Sequence, residues 1–191
     1  MQRKGSNDTR IDRITDYLND SARGISQLRQ NNLKIIEIFE LLKNNHNNHV
    51  FVCGNGGSSS SASHLVNDLL INGKIKIECL SDNISTVTAI ANDCSYDDIY
   101  SIQLEYLAIP NDILIVFSGS GDSKNILKAI DKAIEKKMRI IAMIGTNGGN
   151  ILKKYKDTVV IDYLIHIPIP MSNYEDASVI FIHLLMDLFK K

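Results

Sequence analysis

Two apolar periods alternate along the chain. Ile11, Ile14, Tyr17 and Leu18 recur at helical spacing between Thr9 and about Ala22. Leu28, Ile35, Ile36, Phe39 and Leu42 form a second such set, which predicts a helix from about Ile25 to Lys43, ended by the polar stretch Asn44 to Asn48. Residues 1–8, ahead of both, are expected to fray. Solid apolar runs then appear, at Val50 to Cys53, Ile113 to Phe117 and Arg139 to Ile144, with further strand signals near Ile75 to Leu80 and at Thr158 to Ile161, the last with an extension towards Ile169. Between them the helical period returns around His64, from Asp97 to Leu107, from Lys124 to Lys136 and from about Tyr174 to Phe189, while Ser85 to Ile90 reads as a short helix or turn. Fully apolar strands alternating with helices predict an α/β fold, a parallel sheet covered on both faces. The two helices at about 9–43 precede the first strand and are expected to be an appendage whose apolar faces serve oligomerisation.

Composition narrows the class. At 191 residues, 44% hydrophobic and 23% charged, the chain suits one soluble domain spanning 1–191. A net charge of −1 argues against a nucleic-acid surface. Three cysteines without a CxxC make no disulfide framework, and Cys53 and Cys79 sit in apolar stretches where packing explains them. The opening MQRKGSNDTR has no apolar run, and nowhere do about 18 apolar residues follow one another, so neither a signal peptide nor a membrane span is expected. The expected location is cytoplasmic.

Two strand-to-helix turns carry the candidate chemistry. Gly54-Asn55-Gly56-Gly57 leads through Ser58 to Ser61 into the helix bearing His64 and Asp68, and Ser118-Gly119-Ser120-Gly121-Asp122-Ser123 follows the run Ile113 to Phe117. Both lie at strand carboxyl ends, where open α/β sheets bind ligands. The first turn has Ser59 where a dinucleotide motif needs its third glycine, and neither turn contains the GK[ST] of a P-loop. Hydroxyls and free backbone N–H groups at a helix start suit a monophosphate instead. His64 and Asp68, spaced i,i+4, project from one helical face. His46, His49 and His166 read as structural.

The motifs Cys53-Gly54-Asn55-Gly56-Gly57-Ser58, Ala91-Asn92-Asp93 and Ser118 to Ser123 resemble the signatures of sugar isomerase (SIS) domains, in particular those of phosphoheptose isomerases. That resemblance implies a three-layer, doubly wound, flavodoxin-like sheet of five parallel strands, assembled as a homotetramer with sites between subunits. It implies isomerisation of sedoheptulose 7-phosphate through an enediol. It puts Asn55, Gly56, Gly57 and Ser58 on the substrate, Asn92 and Asp93 near the sugar chain, and Ser118, Gly119, Ser120 and Ser123 around the phosphate. It also implies one Zn²⁺ per subunit on His64, Asp68, Glu175 and His183, with Asp68 as base, His183 as acid and Glu175 beside the substrate. Three positions depart from the family pattern: Asp68 replaces a glutamate, Glu175 a glutamine, and Ser118-Gly119-Ser120 a Ser-Thr-Ser. By helical spacing Asp176, seven residues before His183, aligns even better than Glu175, so the fourth ligand stays open between them. An isomerase of another phosphorylated ketose, or a non-catalytic module that binds a sugar phosphate or a protein, remain the alternatives.

Overall fold

A computed structural model describes residues 9–45 and 47–190; the expectations for residues 1–8 and His46 lie outside them. Five strands, β1 (Val50–Gly54), β2 (Ile77–Cys79), β3 (Ile113–Ser118), β4 (Arg139–Ile144) and β5 (Tyr163–His166), form one sheet in the order β2-β1-β3-β4-β5. Every pairing is parallel, with Val50 beside Ile77 and Ile113, Ile113 beside Arg139, and Ile141 beside Tyr163. From β1 the chain moves one way to β2 and then the other way to β3. The switch point therefore opens between the carboxyl ends of β1 and β3, where both Gly/Ser turns begin. This is the doubly wound α/β fold expected.

Strand alternation sorts the core into two layers. On one face Val50, Val52, Ile113, Ile115, Phe117 and Met143 pack against α1 (Thr9–Gln30), α2 (Asn32–Lys43), α3 (Gly57–Asp68) and α8 (Met171–Phe189). On the other, Phe51, Cys53, Leu114, Val116 and Ala142 pack against α5 (Ser101–Leu107), α6 (Lys124–Glu135) and α7 (Gly149–Tyr155). A π-helical turn, Leu69–Gly73, ends α3, and α4 (Ile84–Asp93) precedes a short 3₁₀ turn at Tyr96–Asp98. No described helix is long and apolar enough to cross a membrane.

Several boundaries differ from the sequence reading. α1 continues to Gln30 and breaks from α2 only at Asn31, whose φ of −97° and ψ of 12° leave the helical region. Thr158 to Ile161 is not a strand: Thr158 N–H closes the end of α7 on the Tyr155 carbonyl, and Val159 is 99% exposed. Pairing begins only at Tyr163, inside the stretch read as an extension. Asp97 to Leu107 splits into the 3₁₀ turn and α5. The N-terminal helices are more than an appendage, because Leu28, Ile35, Ile38 and Leu42 are buried in the first core layer. Only the first half of α1, with Ile11, Ile14 and Leu18 each more than 60% exposed, stands clear of it.

Leu42, fully buried on α2, tests that placement. Leu42→Ala should cost about 2–5 kcal/mol in denaturant unfolding; an unchanged midpoint would return α2 to the surface.

Candidate active site

The β3–α6 turn is held from three sides. Ser118 Oγ accepts the Gly121 N–H at 3.1 Å and Ser120 Oγ accepts the Asp122 N–H at 3.2 Å. Gly121 has φ +69°, and a Cβ there would overlap the Gly148 carbonyl, so the turn requires glycine. The turn after β4 locks it in place, with Ile151 N–H on the Gly121 carbonyl and Asn150 N–H on Asp122 Oδ1. From behind, the buried Tyr174 hydroxyl donates to the Met143 carbonyl at 2.7 Å and accepts the Ser118 N–H at 3.1 Å. Burial pushes the Tyr174 pKa up, which keeps this phenol a donor.

The β1–α3 turn is fixed by amides and phenols. Asn55 and Asn125 exchange two side-chain hydrogen bonds, at 2.8 and 2.9 Å, across the switch point. The Tyr100 and Tyr96 hydroxyls both donate to Asn55 Oδ1 at 3.2 Å, and Tyr100 also donates to the Gly54 carbonyl. Desolvation raises the Tyr100 pKa and holds that proton on. Between the turns lies a cavity of about 150 Å³, lined by Asn55, Ser58, Ser118, Gly119, Ser120 and Ser123, with Phe117, Met171 and Glu175 closing it. The Ser58 and Ser123 hydroxyls make no hydrogen bond among the described residues. Free hydroxyls at the starts of α3 and α6 are groups that suit an anion.

A second polar cluster lies along the same pair of helices. Glu175 packs so tightly on Gly57 that a Cβ there would overlap its carboxylate. Two turns further along both helices, the His64 and His183 rings meet edge to face with centroids 5.0 Å apart. One ligand atom from each of His64, Asp68 and His183 lies within 4.8 Å of the others. Asp68 is 8% exposed; its Oδ1 accepts a 3.3 Å bond from Asn67, while Oδ2 is buried without a hydrogen-bond partner, its neighbour being His64 Nε2 at 3.4 Å. An orphaned carboxylate oxygen is costly unless a cation or an incoming proton satisfies it. Two imidazoles and this carboxylate therefore fit a divalent metal ion.

The other sequence candidates divide. Glu175 is not in the three-residue cluster; it faces the serine cavity, about 12 Å of helix rise from His183. Asp176 turns to α1, where its Oδ2 accepts the Tyr17 hydroxyl at 2.6 Å and raises that phenol's pKa. Asn92 and Asp93 end α4, exposed and paired with each other at 2.8 Å, and do not line the cavity. His49 stacks on Phe51, and His166 Nε2 lies 3.1 Å from the Thr146 carbonyl, as structural histidines. Asn125, Tyr100, Tyr174 and Met171 escaped the sequence reading. Only Asn125, two residues past Ser123 at a helix start, carried any local signal.

With that geometry in place, comparison with known proteins is direct. The model of the SIS domain family matches residues 16–145. The chain belongs to the SIS domain family. A phosphoheptose isomerase of Helicobacter pylori is 33% identical over 187 residues, covering 92% of this chain and 90% of the relative. One from Shewanella is 44% identical over 109 residues, 53% of this chain and 54% of its own. Among solved structures, the phosphoheptose isomerase of Francisella tularensis superposes with a TM-score of 0.85 at 27% identity, covering 94% of this chain and 97% of its own. That of Neisseria gonorrhoeae gives 0.83 at 27% identity, covering 93% and 97%. The SIS domain thus accounts for the sheet order and for the ligand crevice at its switch point.

The locked turn makes a prediction. Gly121→Ala must force both a strained φ and a backbone overlap, so it should abolish inorganic phosphate binding, read by titration calorimetry, and lower stability by about 1–3 kcal/mol. Native phosphate affinity in this variant would remove the turn from the site.

Proposed function

We propose that this protein is a phosphoheptose isomerase that interconverts sedoheptulose 7-phosphate and a glycero-manno-heptose 7-phosphate through an enediol. The observation that carries the reading is a site with two ends on one helix pair. Hydroxyl and N–H donors gather at the start of α3, and a proton-accepting cluster lies about 10 Å further along. A substrate with several carbons between its phosphate and its carbonyl fits such a span. Relatives aligned over nine-tenths of their length, named phosphoheptose isomerase, support the same substrate class.

In this reading Ser120, Ser123 and Ser58 hold the phosphate, and Asn55, Gly56 and Gly57 position the adjoining sugar. Asn92 and Asp93 attend the chain from the end of α4. Asp68 removes a proton from C1 of the ketose and returns it to C2. Its unpartnered Oδ2 is the available acceptor. His183, exposed on α8, carries the hydroxyl proton from the C1 oxygen to the C2 oxygen. His64, His183 and the other oxygen of the Asp68 carboxylate would hold one divalent ion, and two imidazoles with a carboxylate suit Zn²⁺. Such an ion, when bound, supplies charge that stabilises the developing enediolate. Glu175 stays with the serine cavity and acts on substrate from there. We further propose a cytoplasmic homotetramer, because Ile11, Ile14 and Leu18 leave an apolar face that a second copy would cover.

Purified protein incubated with sedoheptulose 7-phosphate should form the aldose by NMR. Binding without conversion would favour a sugar-phosphate-binding module, and conversion only of another ketose phosphate would reassign the substrate. Ser123→Ala should raise KM about tenfold or more with a smaller effect on kcat, since the phosphate is remote from the reacting carbons; an unchanged KM would exclude this hydroxyl. Light scattering should give four chains per particle at micromolar concentration, and a monomer would contradict the assembly.

A further inference from the structure

Beyond the π-helical turn that follows Asp68 lies a cavity of about 730 Å³ that the isomerase reading does not use. Phe39, Leu42, Ile75 and Phe189 give it an apolar floor, in which the Phe39 and Phe189 rings meet edge to face with centroids 4.8 Å apart. Lys43, Lys74 and Lys76 also line it, and no acidic residue does. Lys74 and Lys76 have no hydrogen-bond or carboxylate partner among the described residues. Lys43 has only Glu40, at 3.9 Å, and stands 5.2 Å from the centre of the Phe39 ring. Asn45 and Asn72 spend amide N–H groups on the Asn48 and Asp68 carbonyls, both at 3.0 Å, which leaves two side-chain oxygens as acceptors.

This combination selects a ligand class. Three ammonium groups without a lining carboxylate, in a chain of net charge −1, call for an anion. A bare phosphate would satisfy the lysines but leave the aromatic floor in water. A carboxylate-bearing sugar would do the same. An anion with a flat apolar body uses both, its ring against Phe39 and Phe189 and its phosphates on the ammonium groups, and the volume is that of an ordinary small-molecule site. The free amide oxygens match the hydroxyl and amino donors of a nucleoside. We propose that this cavity binds a nucleoside diphosphate. Asn72, whose side chain holds the Asp68 carbonyl across the turn, stands between this cavity and the first site. The binding does not rest on the isomerase reading.

Titration calorimetry on the full chain tests it with ADP, adenosine and inorganic phosphate as probes. ADP should bind and weaken with added salt, adenosine should bind at least about tenfold more weakly, and phosphate filling the serine turn at constant ionic strength should leave ADP binding in place. The double variant Lys74→Glu/Lys76→Glu should lose at least about tenfold in ADP affinity. Lys74→Gln/Lys76→Gln should fall between the two, which covers the case in which charge reversal lowers the melting temperature. No ADP binding at millimolar concentration would overturn the proposal. Equal affinity in the native chain and the neutral double variant would also overturn it, since ADP would then sit at the serine turn. Both readouts hold whether or not the chain turns over sedoheptulose 7-phosphate.

Discussion

The packing of α3 directly on α8 is the contact from which the site follows. Gly57 lets the helices approach until the Glu175 carboxylate lies where a Cβ would be, and the same approach brings His64 and His183 edge to face two turns later. The serine turns have further supports, in the Asn55–Asn125 exchange and in the bond from Ser118 N–H to Tyr174 of α8. The cluster of His64, Asp68 and His183 would not form without that packing, because Asp68 and His64 come from one helix and His183 from the other. The switch point gathers the serine hydroxyls, and the helix pair gathers the two imidazoles and the carboxylate at a set separation along the axis.

Two departures from the family pattern acquire a physical reading in this arrangement. At Gly119 a Cβ would overlap the Met171 side chain, so the glycine and the methionine act together: Met171 fills the space that a threonine would take. Glu175 adds a carboxylate to a cavity whose other polar side chains are hydroxyls and one amide. It sits near the start of α3, where the helix dipole favours negative charge, which offsets part of its cost. Asp68 is the third departure. Its carboxylate keeps one oxygen buried and unpaired beside His64, within the cluster that His183 completes.

What the sequence revealed follows the range of the interactions involved. The fully apolar strands, the two glycine and serine turns and the i,i+4 pair His64 and Asp68 are local patterns, and each reads directly from residue order. The Asn55–Asn125 exchange and the Tyr174 bridge between Ser118 and Met143 join residues far apart in sequence, and nothing local announces them. The angle between Glu175 and His183 round α8 suggested one ligand face, but eight residues of helix rise separate them, and Gly57 draws Glu175 to the other end. α7 and β5 were obscured because α7 is seven residues long and opens on paired glycines, and β5 follows Val159, Val160 and Ile161, an apolar run that mimics a strand although Val159 is fully exposed.

The central claim is that the orphaned oxygen of Asp68 is the proton acceptor of an enediol isomerisation. Its most direct measurement is deuterium incorporation during turnover of sedoheptulose 7-phosphate in D₂O, in the native chain and in Asp68→Asn, with metal content measured in both. The account predicts deuterium at C2 of the aldose in the native reaction. It predicts that Asp68→Asn slows exchange and turnover together by at least about 10²-fold with KM little changed, even when metal is restored. Full exchange in an Asp68→Asn protein of native metal content would contradict it.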